Sequence, residues 1–188
     1  ENCFSSNKET VKYLKKLGAK NIKFIGNLKF SQSENKIEDL NKDLIKFINS
    51  KKTWCASSTH DTEERFCGVV HNKLKKKYKN ILTIIIPRHI DRVNKIKEEL
   101  QELNLNVHLH EPQNKINKKT DIYIVNSFGK TKSFYNNCTN VFLGGSIIKH
   151  GGQNPLEATR YGCNILHGPN VHNFRDIYYL LKKNKISN

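Results

Sequence analysis

Apolar residues along this chain follow two alternating rhythms. One is a short, nearly unbroken apolar run, clearest at Ile81–Pro87 and Val141–Gly145. The other is a longer stretch in which apolar side chains recur every three or four positions, the spacing of one helix face. The longer stretches predict helices over Ser6–Leu17, Ser33–Asn49, His60–Tyr78 and Asp91–Leu103, from about Asn154, and over Phe174–Leu181. Ile37, Leu40, Leu44, Ile45 and Ile48 share one side of the second, and Phe66, Val69, Val70 and Leu74 one side of the third. Gly18 closes the first as a C-terminal cap. The short runs predict strands at Asn21–Ile25, Thr53–Ser57, Ile81–Ile86, Asn106–His110, Asp121–Val125, Val141–Leu143 and Asn164–Leu166. Strands alternating with helices imply βαβ units, and continuously apolar strands imply a sheet covered on both faces. The expected fold class is therefore α/β, a Rossmann-like doubly wound parallel sheet. Ligands of such sheets collect at the carboxyl ends of the strands, so residues just after each strand carry the most information.

Composition narrows this picture little. At 188 residues the chain is long enough for one well-cored domain. It has no apolar run near the roughly 20 residues that cross a bilayer, and no signal-peptide pattern. It begins with Glu1 and contains no Met, which reads as a piece of a longer protein. The formal net charge is +16. Lysine is spread along the chain, so a solvated face explains most of the excess. An anionic membrane surface or anionic ligand is the second reading. No nucleic-acid-binding signature is present. The five cysteines are odd in number and lack C-x-x-C spacing, which argues against a disulfide framework or zinc site; Cys55 and Cys163 read as small buried hydrophobes.

Five segments carry candidate chemistry. Gly144–Glu157 runs from a strand through a glycine-rich loop into a helix, with Asn154 placed as N-cap, Pro155 at the first helical position and Glu157 two residues on. The exposed N–H groups and positive dipole at that helix start favour an anion, typically phosphate. Gly145, Ser146 and Gln153 are secondary candidates there. Glu157 is either a capping-box partner of Asn154 or an acceptor for a ribose diol. Pro87-Arg88-His89 ends the most apolar strand, and the planar guanidinium of Arg88 suits phosphate. Ser57-Ser58-Thr59-His60 either caps the next helix, with Glu63 in the box, or binds a sugar or phosphate. Asn126-Ser127-Phe128-Gly129-Lys130 offers an aromatic face for a base and backbone groups for its edge. Lys29, in Gly26-Asn27-Leu28-Lys29-Phe30, offers a cation to a departing phosphate. His108 and His110 share a strand face but lack a third metal ligand, and no nucleophile elbow is present.

Taken in order, these segments resemble the bacterial Kdo (3-deoxy-D-manno-octulosonic acid) transferases. The resemblance rests on Gly26-Asn27-Leu28-Lys29-Phe30, Ser58-Thr59-His60, Pro87-Arg88-His89, Ser127-Phe128-Gly129, Gly144-Gly145-Ser146, Gly151-Gly152-Gln153-Asn154-Pro155-Leu156-Glu157, and Gly168-Pro169 with Asn173-Phe174-Arg175-Asp176. It implies the C-terminal half of a GT-B fold, with residues 1–20 as the tail of a preceding domain or an interdomain helix and 21–188 as a nucleotide-sugar-binding domain. It implies inverting transfer of Kdo from CMP-Kdo to a lipid A precursor at the cytoplasmic face of the inner membrane, with no cofactor and no metal. By the same resemblance Pro87, Arg88, Phe128, Gly129, Lys130, Asn154, Pro155, Leu156 and Glu157 bind CMP. Thr59, His60, His89, Ser127, Gly145, Ser146 and Gln153 are weaker candidates, and Lys29 stabilises the transition state. The family's catalytic acidic residue and the lipid A precursor site fall in an N-terminal domain outside this chain, so the chain alone is expected to bind without turnover. One departure stands out: Lys130 occupies a position where the family usually has Glu. Two other readings stay open: a UDP-sugar GT-B domain, and a basic module that binds anions or lipid without catalysis.

Overall fold

The computed structural model describes residues 2–26, 39–110 and 116–188. Lys29, with the rest of Asn27-Leu28-Lys29-Phe30, lies outside the described residues. The chain divides into two compact units, Glu1–Lys36 and Ile37–Asn188.

In the first unit, strand β1 (Asn2–Ser5) and strand β2 (Asn21–Phe24) pair in parallel around helix α1 (Lys8–Lys16). Asn7 caps α1 by accepting from the Thr10 N–H at 2.7 Å. The helix ends as expected at Gly18, whose φ of +84° suits glycine. The segment anticipated as the first strand of the main sheet, Asn21–Ile25, thus pairs with Asn2–Ser5 instead. Its local pattern marks a strand but not which partner it finds.

The second unit is built on helix α2 (Lys42–Asn49), strand β3 (Lys52–Thr59), helix α3 (Glu63–Lys77), strand β4 (Ile81–Pro87), helix α4 (Val93–Gln101), strand β5 (Val107–Leu109), strand β6 (Ile122–Ile124), helix α5 (Thr131–Tyr135), strand β7 (Asn140–Leu143), helix α6 (Leu156–Arg160), strand β8 (Asn164–His167) and helix α7 (Arg175–Lys183). The six strands form one sheet in the order β5-β6-β4-β3-β7-β8, and every pairing is parallel. The expected doubly wound parallel sheet is present. The short helix α5 was not anticipated, because five residues leave too little periodicity to read.

Two apolar layers explain why the strands read as unbroken hydrophobic runs. In β4, Leu82, Ile84 and Ile86 turn to a layer containing α2, α5, α6 and α7, whereas Ile85 turns to a layer containing α3 and α4. Each of these four side chains is at least nine-tenths buried. Cys55 and Cys163 are buried free thiols, as expected of small core residues.

One buried polar cluster fixes the amino end of this sheet. Asp121, at the start of β6, takes an ion pair from Lys75, accepts from the Asn106 N–H at 3.0 Å and lies 3.6 Å from His71 Nε2. Burial pushes its carboxyl up, but the bonds from His71, Lys75 and Asn106 outweigh burial and hold it well below the ordinary value of 3.8. A depressed carboxyl stabilises the fold above its unfolded pKa and loses that contribution as pH falls below it. Asp121→Asn should therefore lower stability at pH 7 by about 2 kcal/mol. It should also flatten the fall in wild-type stability below about pH 4. Urea unfolding of both proteins at pH 7 and pH 3 checks this, and an equal loss at both pH values would count against it.

Candidate functional site

Strand order reverses between β3 and β7: the chain passes from β3 toward β4 on one side and from β7 to β8 on the other. A crevice opens outside the carboxyl ends of the strands at such a switch point. The loops after β3, β4, β6 and β7 carry almost every candidate residue to that end of the sheet. The approach is close: a Cβ on Gly144 would meet the Ser58 carbonyl oxygen at 2.4 Å and Thr59 Cα at 2.6 Å. Only glycine lets the two backbones pass.

What fills the crevice is a side chain of the protein itself. Glu63, in the first turn of α3, is fully buried. Its Oε2 accepts from the Gly145 N–H at 2.7 Å and the His60 N–H at 3.0 Å. Its Oε1 accepts from the Ile147 N–H at 3.0 Å and the Ser146 N–H at 3.1 Å. The glycine-rich loop after β7 thus forms an anion cradle, and the anion is Glu63. Gly145 and Ser146, weaker candidates for a ligand site, thus spend their backbone N–H groups within the protein. Ser146 is occupied through its hydroxyl as well, which donates to the Leu143 carbonyl at 2.5 Å and accepts from the Gly168 N–H at 2.9 Å. The capping-box bond expected between Glu63 and the His60 turn is present, as one of four. Hydroxyl capping is not: Thr62 precedes the helix with φ +73° and makes no side-chain cap.

The adjacent Glu64 is also fully buried and pairs with Arg92, which reaches Asp61 as well. Burial raises the Glu64 carboxyl, against the lowering effect of Arg92. Two neighbouring carboxylates thus tie the start of α3 to the loops that follow β7 and β4.

The outer wall of the crevice is basic and aromatic. Arg88 anchors its backbone by donating its N–H to the Thr59 carbonyl at 2.9 Å, and its side chain is exposed. Three imidazoles meet beside it: His60 lies 4.3 Å from His150 and 5.8 Å from His89, between ring centroids. His60 Nε2 lies 3.1 Å from Gln153 Nε2. The Gln153 carbonyl in turn accepts from the Tyr178 hydroxyl at 2.9 Å. Burial lowers the His60 pKa, and His150, His89 and Arg88 lower it further against the opposing pull of Glu63. Phe128 projects 74% exposed from the turn after β6, beside Gly129 at φ +79°. An aromatic ring so exposed offers a face to a planar ligand.

Helix α6 begins at Leu156, one residue later than expected. Pro155 sits at the capping position, and Asn154 Oδ1 accepts from the Leu156 N–H at 3.1 Å. Glu157 is therefore in the first turn without a capping-box bond, and its Oε1 lies 3.8 Å from Lys132 Nζ. That contact is half-exposed and weak, which leaves the carboxylate able to accept from a ligand. Among the described residues no group of three or more His, Cys, Asp or Glu side chains is arranged to hold a metal ion. Sequence reasoning missed His150, Lys132 and the role of Glu63. Only the last had a local signal, its capping-box spacing from His60.

Glu63→Ala should lower stability by about 3–5 kcal/mol, because four N–H donors lose their acceptor in a buried site. Glu63→Gln should recover part of that loss, since one oxygen still accepts. Denaturant unfolding measures both, and values within about 0.5 kcal/mol of wild type would show that the loop does not depend on this carboxylate.

Comparison with known proteins places this arrangement. No protein-family model matches the chain. It is 29% identical over 168 residues to the 3-deoxy-D-manno-octulosonic acid transferase of Haemophilus influenzae, covering 85% of this chain and 38% of that protein. It is 31% identical over 163 residues to the transferase of the same name from Rickettsia conorii, covering 86% and 35%. The chain thus spans little more than a third of the length of these two curated relatives. Among solved structures it matches the C-terminal CMP-Kdo binding domain of WaaA from Acinetobacter baumannii, with a TM-score of 0.66 and 26% identity, covering 73% of this chain and 72% of that one. The resemblance to Kdo transferases therefore extends over most of the chain, and the Rossmann-like architecture of a GT-B C-terminal half is borne out.

Proposed function

We propose that this chain is the CMP-Kdo-binding domain of an inverting glycosyltransferase that passes Kdo from CMP-Kdo to a lipid A precursor. The observation that carries this is the structural match to a CMP-Kdo binding domain, together with the gathering of Arg88, the Phe128 turn and the Asn154–Glu157 segment at one end of the sheet.

On this reading the cytosine lies against Phe128, with backbone groups of Gly129 and Lys130 reading its edge. Glu157 accepts from the ribose diol, and Arg88 neutralises the phosphate. Asn154, Pro155 and Leu156 shape the start of α6 so that Glu157 faces the ribose. Since Glu63 uses the loop N–H groups, the phosphate is held by side chains rather than by a backbone cradle. The acidic catalytic residue and the lipid acceptor site belong to a domain outside these 188 residues, and Lys29 stabilises the charge of the departing CMP. The chain alone then binds donor without turning it over. No described helix is long and apolar enough to cross a membrane. The basic surface, with a net charge of +16, suits work against an anionic membrane at the cytoplasmic face of the inner membrane.

Calorimetric titration with CMP and with UDP tests this. CMP should bind saturably and more tightly than UDP. Arg88→Ala and Glu157→Ala should each weaken CMP about 10- to 100-fold, the loss of one charged hydrogen bond. Lys130→Ala should leave CMP affinity within about twofold if the contact is through backbone. A preference for UDP would replace this reading with a UDP-sugar transferase. Binding that tracks salt alone, without nucleotide preference, would replace it with a non-catalytic anion-binding module.

A further inference from the structure

Three histidines converge on the crevice from three separate loops. His60 follows β3, His89 follows β4, and His150 lies in the glycine-rich loop after β7. His60 stands between the other two, with ring centroids 4.3 Å from His150 and 5.8 Å from His89. Arg88 is adjacent in the chain to His89. The fold also makes room for His150: a Cβ on Gly145 would come within 3.1 Å of His150 Nδ1. Glycine at 145 therefore serves the placement of an imidazole.

The charge around this cluster is one-sided. The groups facing His60 are Arg88 and His89 from the β4 loop, His150 and Gln153 from the β7 loop, and Glu63 from α3. Glu63 is the one carboxylate among them, and it is buried under four N–H donors. Among the described residues no ion pair holds the Arg88 guanidinium. A phosphodiester carries one negative charge, which Arg88 alone can match. The histidines are then surplus to the phosphate.

We propose that His60, His89 and His150 form a second anion subsite beside Arg88, which takes a carboxylate attached to the anomeric carbon of the donor sugar. This deepens the nucleotide-sugar reading above and rests on it. A sugar acid activated through its anomeric oxygen places a carboxylate and a phosphodiester on neighbouring atoms, and the cations here stand on neighbouring loops. A neutral nucleotide sugar would offer only hydroxyls to the same place.

Protonation supplies the charge. Burial and the cationic neighbours disfavour the imidazolium form of His60 in the empty site. A carboxylate reverses that preference, so binding takes up a proton. The sign follows: affinity for a carboxylated donor rises as pH falls, and levels off once His60 is protonated before binding.

The test compares two ligands of the intact chain. One is the methylene phosphonate analogue of CMP-Kdo, which keeps the carboxylate and does not hydrolyse. The other is cytidine 5′-methyl phosphate, which keeps the charge of the phosphodiester and lacks the carboxylate. Affinities are read by calorimetry at pH 5.5 and pH 8. Wild type should prefer the carboxylated ligand, and the preference should grow about tenfold or more toward pH 5.5. Calorimetry at pH 7 in buffers of different ionisation enthalpy should show proton uptake with that ligand only. His150→Gln, at an exposed position, should lose the preference and its pH dependence to a greater extent than it loses cytidine 5′-methyl phosphate. A preference independent of pH, or an equal loss of both ligands in His150→Gln, overturns the proposal. Binding of neither ligand overturns the nucleotide reading itself, and this subsite with it.

Discussion

The carboxylate of Glu63 is the contact on which the rest of the site depends. A buried charge is tolerated only when hydrogen bonds replace its water, and here four backbone N–H groups do so. Three of the four belong to a loop more than 80 residues away in the chain. The bond network therefore does two things. It joins the β3–α3 turn to the β7–α6 loop across the switch point, and it sets the height at which that loop leaves the sheet. Glu64 extends the same logic to the β4–α4 connection through Arg92. Three loops from distant parts of the chain are thus referred to one helix start, and α3 gains negative charge at its positive end.

Anion recognition has to be organised differently as a consequence. In many doubly wound domains the amides of the glycine-rich turn bind phosphate directly. In this protein the amides of Gly145, Ser146 and Ile147 are used internally, and the loop forms a floor bonded to Glu63. On the proposed reading, charge for a ligand comes instead from side chains that stand on the floor: Arg88 at the end of β4, the imidazoles of His60, His89 and His150, and the Glu157 acceptor on α6. Side-chain recognition of this kind titrates, whereas amides do not. The choice of Glu63 as internal anion and the presence of histidines around it are therefore parts of one arrangement.

Much of the fold was legible because apolar periodicity is a local property. The run at Ile81–Pro87 could hardly be anything other than a strand buried on both faces, and the helical spacing at 93–101 is nearly as plain. Partner choice was not legible. Nothing in Asn21–Phe24 says that it pairs with Asn2–Ser5 rather than with the larger sheet. At the site, the residue types were readable and the contacts were not. Glycines at 144, 145 and 151 signalled close approach, which the sequence reading assigned to a ligand. At each of these positions the neighbour is the protein's own backbone or side chain: Ser58 and Thr59 against Gly144, His150 against Gly145, and Asn173 against Gly151; the same holds for Ser146 against Gly168. A glycine pattern reports that something comes near, and only the fold says what.

The same distinction governs the charge. A net charge of +16 suggests a basic surface, yet some of the cations are paired within the protein. Lys75 is held by Asp121, Arg92 by Glu64 and Asp61, Arg65 by Glu102, and Lys95 by Asp61 and Glu99. Those pairs brace helices and strand ends, and the Arg92 pair with Glu64 braces a loop beside the crevice. Arg88 differs in kind, since it is next to His89 in the chain, its charge acts on His60, and among the described residues no ion pair holds it. Position relative to satisfied and unsatisfied acids, rather than the total, separates the cations paired within this protein from those that the proposed reading gives to a ligand. By that criterion Arg88 and the histidines beside it carry more functional information than the many lysines spread along the chain.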